Sequence, residues 1–468
     1  MISLLTLGGC SLAPEYSRPG MPAPAAWPES QHDQMPELSP DGTAAVKTKA
    51  VETTGDLPWR DFFVEEKLQE LISLALENNR DLRIAALSIE RAEGLYRIKR
   101  AELLPSIDAS VEASKKRTLL QSGQRETSEQ FSVGLGFLSY ELDFFGRIGS
   151  LKEVALEQYL ATEQARRTVQ IGLVAEVAAG YLTLAADREK LKLAEETLSS
   201  QESTYELIAR RVEAGASSDL DLRQAETRME AARVDVARYT AIAAQDENAL
   251  NLIVGTQIPA ELLPDALPET FAALGEITPG FPSEVLLKRP DVMGAENMLK
   301  GFNANIGAAR AAFFPSINLT GSAGIASNDL SGLFSDASGI WAVAPKVAIP
   351  LFDSGSAAGN LKAAKADRDM AVARYEKTIQ GAFREVADAL ARHATIHEEV
   401  AAQQSLTDAS EASHRLSTAR YDKGVDSYLS VLDSQRSLYG ARQELITTRL
   451  IRLLNLTNIY KVLGGGGA

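Results

Sequence analysis

The chain is poor in the residues that do chemistry. Its 468 residues include one cysteine, Cys10, so no disulfide can form within it. There are four histidines, and aromatic residues make up only 6%. No apolar run approaches the ~18 residues of a bilayer-spanning helix, which argues against a helical membrane protein. Basic residues are outnumbered and the net charge is −15, so no basic face is available for nucleic acid. The most informative absence is proline, which is missing between Ser106 and Ile258 and again between Leu351 and Ala468.

Those proline-free stretches are two helix-permissive blocks. In the first, 147–212 reads as one helix interrupted by nothing stronger than Gly149, Gly172 and Gly180. Leu191, Ala194, Leu198, Tyr205, Ile208 and Val212 recur at helical spacing. Sixty-six residues give roughly 100 Å of helix, too long to stand without lengthwise packing. The second block repeats this over 355–421. Shorter helices are expected at 219–254 and 428–462, and another pair at 81–104 and 291–314. In the last block Val425, Leu432, Tyr439, Ile446, Leu453 and Tyr460 lie seven apart, a coiled-coil seam. The prolines concentrate elsewhere, eight of the eighteen falling within 11–60, which reads as an extended tether.

Between the helices the period changes to two. Ile107, Ala109, Val111 and Ala113 alternate with polar residues, as do Phe131, Val133 and Leu135, then Ile317, Leu319 and Ile325, then Trp341, Val343 and Val347. Strands are expected at about 106–114, 130–141, 316–325 and 340–350. Each is about ten residues, enough to cross a bilayer at a tilt.

The two halves match each other. Arg211 through Glu226 aligns with Arg420 through Gln435, glycine on glycine (Gly215, Gly424), and Leu104-Pro105-Ser106-Ile107 matches Phe314-Pro315-Ser316-Ile317. Each half therefore reads as helix, strand hairpin, long helix, glycine turn, helix, an internal repeat. At the turns Gly424 suits a left-handed helix end, and Asp426 is expected to cap the following helix. Four strands cannot close a barrel, and open edges cannot face lipid, so other copies must complete the sheet; three copies give twelve strands.

Catalytic signals are weak. His393 and His397 have i, i+4 spacing, but no HExxH pattern surrounds them, and a solvated helix face accounts for them better than a metal does. Gly134-Leu135-Gly136 sits mid-strand and is no phosphate loop. No nucleophile elbow is visible, so neither an enzyme nor a catalytic, metal or cofactor site is expected.

Several stretches carry a family resemblance. Leu7-Gly8-Gly9-Cys10 resembles the lipobox of bacterial lipoproteins. That resemblance implies cleavage before Cys10, acylation of it and, with Ser11 following, sorting to the outer membrane. Together with the proline-rich strip, Tyr140 through Arg147, Ala308 through Pro315 and Leu432-Asp433-Ser434-Gln435-Arg436, it makes the chain similar to the TolC-like outer-membrane factors, and most to the OprM subgroup. The resemblance implies an α+β membrane protein. It would be a homotrimer with a twelve-stranded outer-membrane β-barrel, four strands per chain, continued by a long periplasmic α-helical coiled-coil tunnel. The chain then divides into a signal remnant (1–10), a tether (11–64), repeat one (65–258), a connector (259–289), repeat two (290–463) and a flexible tail (464–468).

The implied function is the passive exit channel of a tripartite multidrug efflux pump. Its partners would be a periplasmic membrane-fusion adaptor and a proton-driven inner-membrane transporter of the RND type. By the same resemblance Leu429 and Asp433 form stacked rings that close the periplasmic mouth. Tyr421, Arg420, Arg436 and Asp187 make the contacts that hold it closed, and the tips at Gly215, Ser217, Gly424 and Val425 meet the adaptor. Two other readings stand beside this one: a channel for type I protein secretion, and a trimeric helical scaffold or receptor that transports nothing.

Overall fold

The computed structural model describes residues 11–25, 27, 58–119, 123, 125–272, 283–336 and 338–465. Cys10 and the end of the tail fall outside them. Among the described residues the α-helices are α1 (Trp59–Phe62), α2 (Glu66–Asn78), α3 (Arg80–Ala101), α4 (Arg147–Glu213), α5 (Asp219–Val254), α6 (Pro290–Ala311), α7 (Ser356–Asp422) and α8 (Tyr428–Val462). The strands among them are β1 (Asp108–Leu119), β2 (Arg125–Glu141), β3 (Ser316–Ser327) and β4 (Gly339–Ala348). The order α3-β1-β2-α4-α5 recurs as α6-β3-β4-α7-α8. Helices α4 and α7 are both 67 residues long, and α3 and α6 are both 22.

Local chemistry explains where the long helices start. Asp143 accepts a hydrogen bond from the Gly149 amide at 2.7 Å. Asp353 accepts from Gly355 and Ala357 at 3.0 and 2.7 Å, and those amides hold its pKa below the usual aspartate value. Each carboxylate satisfies N–H groups that have no partner inside the helix. Helix α5 starts on a reciprocal Ser218–Asp221 capping box and stops at Gly255, whose φ is 82°. There a side chain would strike the Asn78 carbonyl, so only glycine fits.

The chain forms two compact units. One contains the sheet, with the described part of 1–20, 87–164 and 293–377. Its strands run β1-β2-β3-β4, all neighbours antiparallel. Val111 pairs with Val133 and Val133 with Ile325; Leu135 pairs with Ala323 and Ala323 with Trp341. These residues share one apolar face. The opposite face carries Ser110, Glu112, Ser132, Thr320, Ser322 and Lys346. A bulge between Phe137 and Tyr140, with Ser139 at φ 56°, returns Tyr140 to the apolar face. The Phe137 ring covers Gly321, its partner across the strands. Strands β1 and β2 extend beyond the expected bounds, because Lys115↔Glu129 through Leu119↔Arg125 continue the ladder into what reads as a polar loop. Among the described residues both outer edges, β1 and β4, are open.

The other unit spans 21–86, 165–292 and 378–468. Its core gathers Phe62, Phe63, Leu68 and Leu71 with Val177, Tyr181, Leu182 and Ala185 of α4, Leu250 of α5 and Tyr460 of α8. Phe62, Phe63, Phe271 and Tyr460 form a cluster of edge-to-face and tilted rings with centroids 4.9–5.4 Å apart. Helix α4 holds an 18-residue window of mean hydropathy 1.5, although polar residues interrupt it. More than half of that window (56%) is buried within the protein, so it serves as a core helix.

Candidate functional site

The α4–α5 and α7–α8 hairpins turn on Gly215 (φ 69°) and Gly424 (φ 72°), both in the left-handed region that glycine alone enters cheaply. Ile208 and Ala225 of the first hairpin pack with Tyr428, Val431 and Leu432 of the second, and Tyr205, Val212, Leu222 and Tyr421 flank that cluster. This apolar wedge fixes which face of α8 points away. Leu429 is 63% exposed, and Asp433, one turn later on the same face, is exposed beside it. Asp433 pairs with Arg436 at i, i+3. Around Asp433 lies a hydroxyl-rich groove of about 430 Å³ formed by Ser410, Ser413, Ser417, Ser430, Ser434 and Ser437.

Tyr421 is held from two sides. Its hydroxyl accepts a hydrogen bond from Arg211 at 3.3 Å, and its ring lies 5.4 Å from that of Tyr428. Arg211 was not among the expected mouth residues, although its alignment with Arg420 across the repeat marked it. The expected cap at Asp426 is not made. Ser427 stands at the N-cap of α8 with no side-chain cap bond, and both Asp426 oxygens are taken by the Arg420 guanidinium. That pairing holds the Asp426 carboxyl below its usual pKa. At the tips, Ser217 donates to Asp221 at 3.0 Å, and Val425 is 60% exposed.

Asp187 does not join this group. It lies on α4, 24 residues before Arg211, about 36 Å at the helical rise. Its partner is Lys190 at 3.1 Å, and Asp246 of α5 stands beside it. The His393 and His397 rings meet edge to face at 5.4 Å. Among the described residues no three ligating side chains gather into a metal-binding group.

The family model for outer membrane efflux proteins matches twice, at 71–256 and 281–465. The chain belongs to the outer membrane efflux protein family. The efflux protein is 46% identical to the probable efflux pump outer membrane protein TtgC of Pseudomonas putida, over 99% of this chain and 94% of that one. It is 41% identical to outer membrane protein OprJ of Pseudomonas aeruginosa, over 100% and 95%. Among solved structures it superposes on the channel CusC with a TM-score of 0.86 at 39% identity, covering 98% of this chain and all of that one. It superposes on the open state of the Neisseria gonorrhoeae MtrE outer membrane channel with a TM-score of 0.85 at 37% identity, covering 98% of each. The efflux protein is thus a TolC-like channel component that works at the outer membrane.

Proposed function

We propose that three copies of the efflux protein close their sheets into one twelve-stranded barrel and carry substrates through it passively, without catalysis. The observation that carries this reading is the sheet: one face apolar, the other polar or small, and both edges unpaired among the described residues. Unpaired edges are not tolerated in hydrocarbon, and edge-to-edge closure by identical copies removes them. The long helices continue the conduit into the periplasm as a coiled-coil tunnel. The twofold match of the family model supports an origin of the two halves by duplication.

At the mouth, threefold symmetry brings three Leu429 side chains and three Asp433 carboxylates toward one axis, an apolar ring and an acidic ring one turn apart. Like charges so placed disfavour full ionisation and attract cations. Arg420, Tyr421 and Arg436 hold the hairpin in its closed position; Asp187, on this placement, braces α4 against α5 instead. The tips at Gly215, Ser217, Gly424 and Val425 meet a periplasmic adaptor, which links the channel to an inner-membrane RND transporter. Cys10 carries the lipid anchor. The pump-component name of TtgC favours this reading over protein secretion.

Planar-bilayer recording tests it. The purified protein should conduct poorly, and Leu429→Ala with Asp433→Ala should raise open-channel current severalfold. No conductance from either form would leave a non-transporting scaffold as the better account.

A further inference from the structure

The described N-terminal strip climbs α6 in register. Tyr16 and Arg18 hydrogen-bond Glu296, the Pro14 carbonyl accepts from Asn303, and the Leu12 carbonyl accepts from Arg310. At Gly307 the strip lies so close that an added Cβ would come 2.8 Å from the Ala13 amide nitrogen and 2.6 Å from Ser150 Oγ of α4. Each step toward the N-terminus thus moves one to two turns toward the C-terminal end of α6. Cys10 is three residues before Ala13, a separation that chain geometry limits to about 10 Å. Only about 6 Å of helix separates Gly307 from Ala311.

Where that path leads there is a cavity of about 330 Å³ at the junction of helix and strand. Ala311, Ala312, Pro350 and Ile349 line it, with the rings of Phe145 and Phe314 stacked at 4.7 Å. Its charged lining residues are spoken for: Arg147 is paired to Glu141, and Asp143 caps α4. One cation against two carboxylates gives a free phospholipid phosphate nothing to bind, whereas the apolar walls suit a hydrocarbon chain.

We propose that this cavity is the seat of an acyl chain carried by Cys10, so that the lipid anchor docks on its own protein at the base of the sheet. The proposal rests on the reading of Cys10 as acylated. Docking there ties the strip, α4, α6 and the first residues of β3 together where the chain enters the membrane.

The test uses the full-length protein made in Gram-negative cells fed a diazirine-bearing fatty acid, irradiated and mapped by mass spectrometry. Crosslinks from the Cys10 lipopeptide should fall on 311–315 and 349–350, about tenfold above those on Trp341 and Val343, as tethering raises local concentration. Gly307→Val should abolish that preference while leaving acylation intact. Crosslinks spread evenly over the sheet, or cavity adducts consisting only of phospholipid, overturn the docking. An unmodified Cys10 by intact mass overturns the acylation and the docking together.

Discussion

Asp246→Asn is the sharpest perturbation of a single side chain. Asp246 sits against Asp187, and its Oδ2 is buried with no donor facing it. Burial first, and then the neighbouring carboxylate, push the Asp246 pKa from 3.8 up to about 6, with Lys190 pulling the other way. The folded protein therefore holds a proton that the unfolded chain releases between about pH 4 and pH 6, so stability falls as pH rises through that window. Two units correspond to about 3 kcal/mol at 1.36 kcal/mol per unit. Asp246 is only partly buried, and solvent screening reduces the figure to about 1 kcal/mol. The asparagine variant should match the parent near pH 4 and exceed it by about 1 kcal/mol near pH 8, read from unfolding midpoints in detergent. Infrared difference spectra should show a protonated carboxyl band titrating near pH 6 in the parent and absent from the variant. A stability difference independent of pH, or no such band, refutes the reasoning. A positive result would assign Asp187 to a brace between α4 and α5 rather than to the mouth.

Other substitutions probe the fold and the strip. Gly324→Val would drive a side chain into the Val133 carbonyl across the β2–β3 ladder; it should abolish the heat-modifiable oligomer on gels, and normal assembly would contradict the register. Phe62→Ala removes a ring 1% exposed and packed on Phe63 and Tyr460. It should cost about 3–5 kcal/mol in chemical denaturation. Glu296→Ala strips the buried carboxylate that Arg18, Lys300 and Tyr16 share. The strip should loosen by about 1–2 kcal/mol and become faster to proteolyse, Arg18 being free to return to water.

The helices were legible because proline and period are local signals. The expected long helices ended within a residue of Arg147–Glu213 and Ser356–Asp422. Strand pairs were legible from alternation, but their ends were not: hydrogen bonding carried β1 and β2 through Lys116, Arg117 and Thr127, whose composition reads as loop. At the hairpins a glycine turn was predictable from the residue alone. The cap was not, since Asp426 could serve either the α8 amides or Arg420, and the bidentate guanidinium won.

By itself, then, the order of residues determined the element types, the glycine turns and the two-faced strands, all of which depend on neighbours within a few positions. The tertiary structure alone decided partnership: Arg211 with Tyr421, Asp187 with Asp246, and the strip with α6. Such pairs join positions up to hundreds of residues apart. Which charge meets which depends on how packed helices are rotated and shifted, and a local pattern does not carry that information.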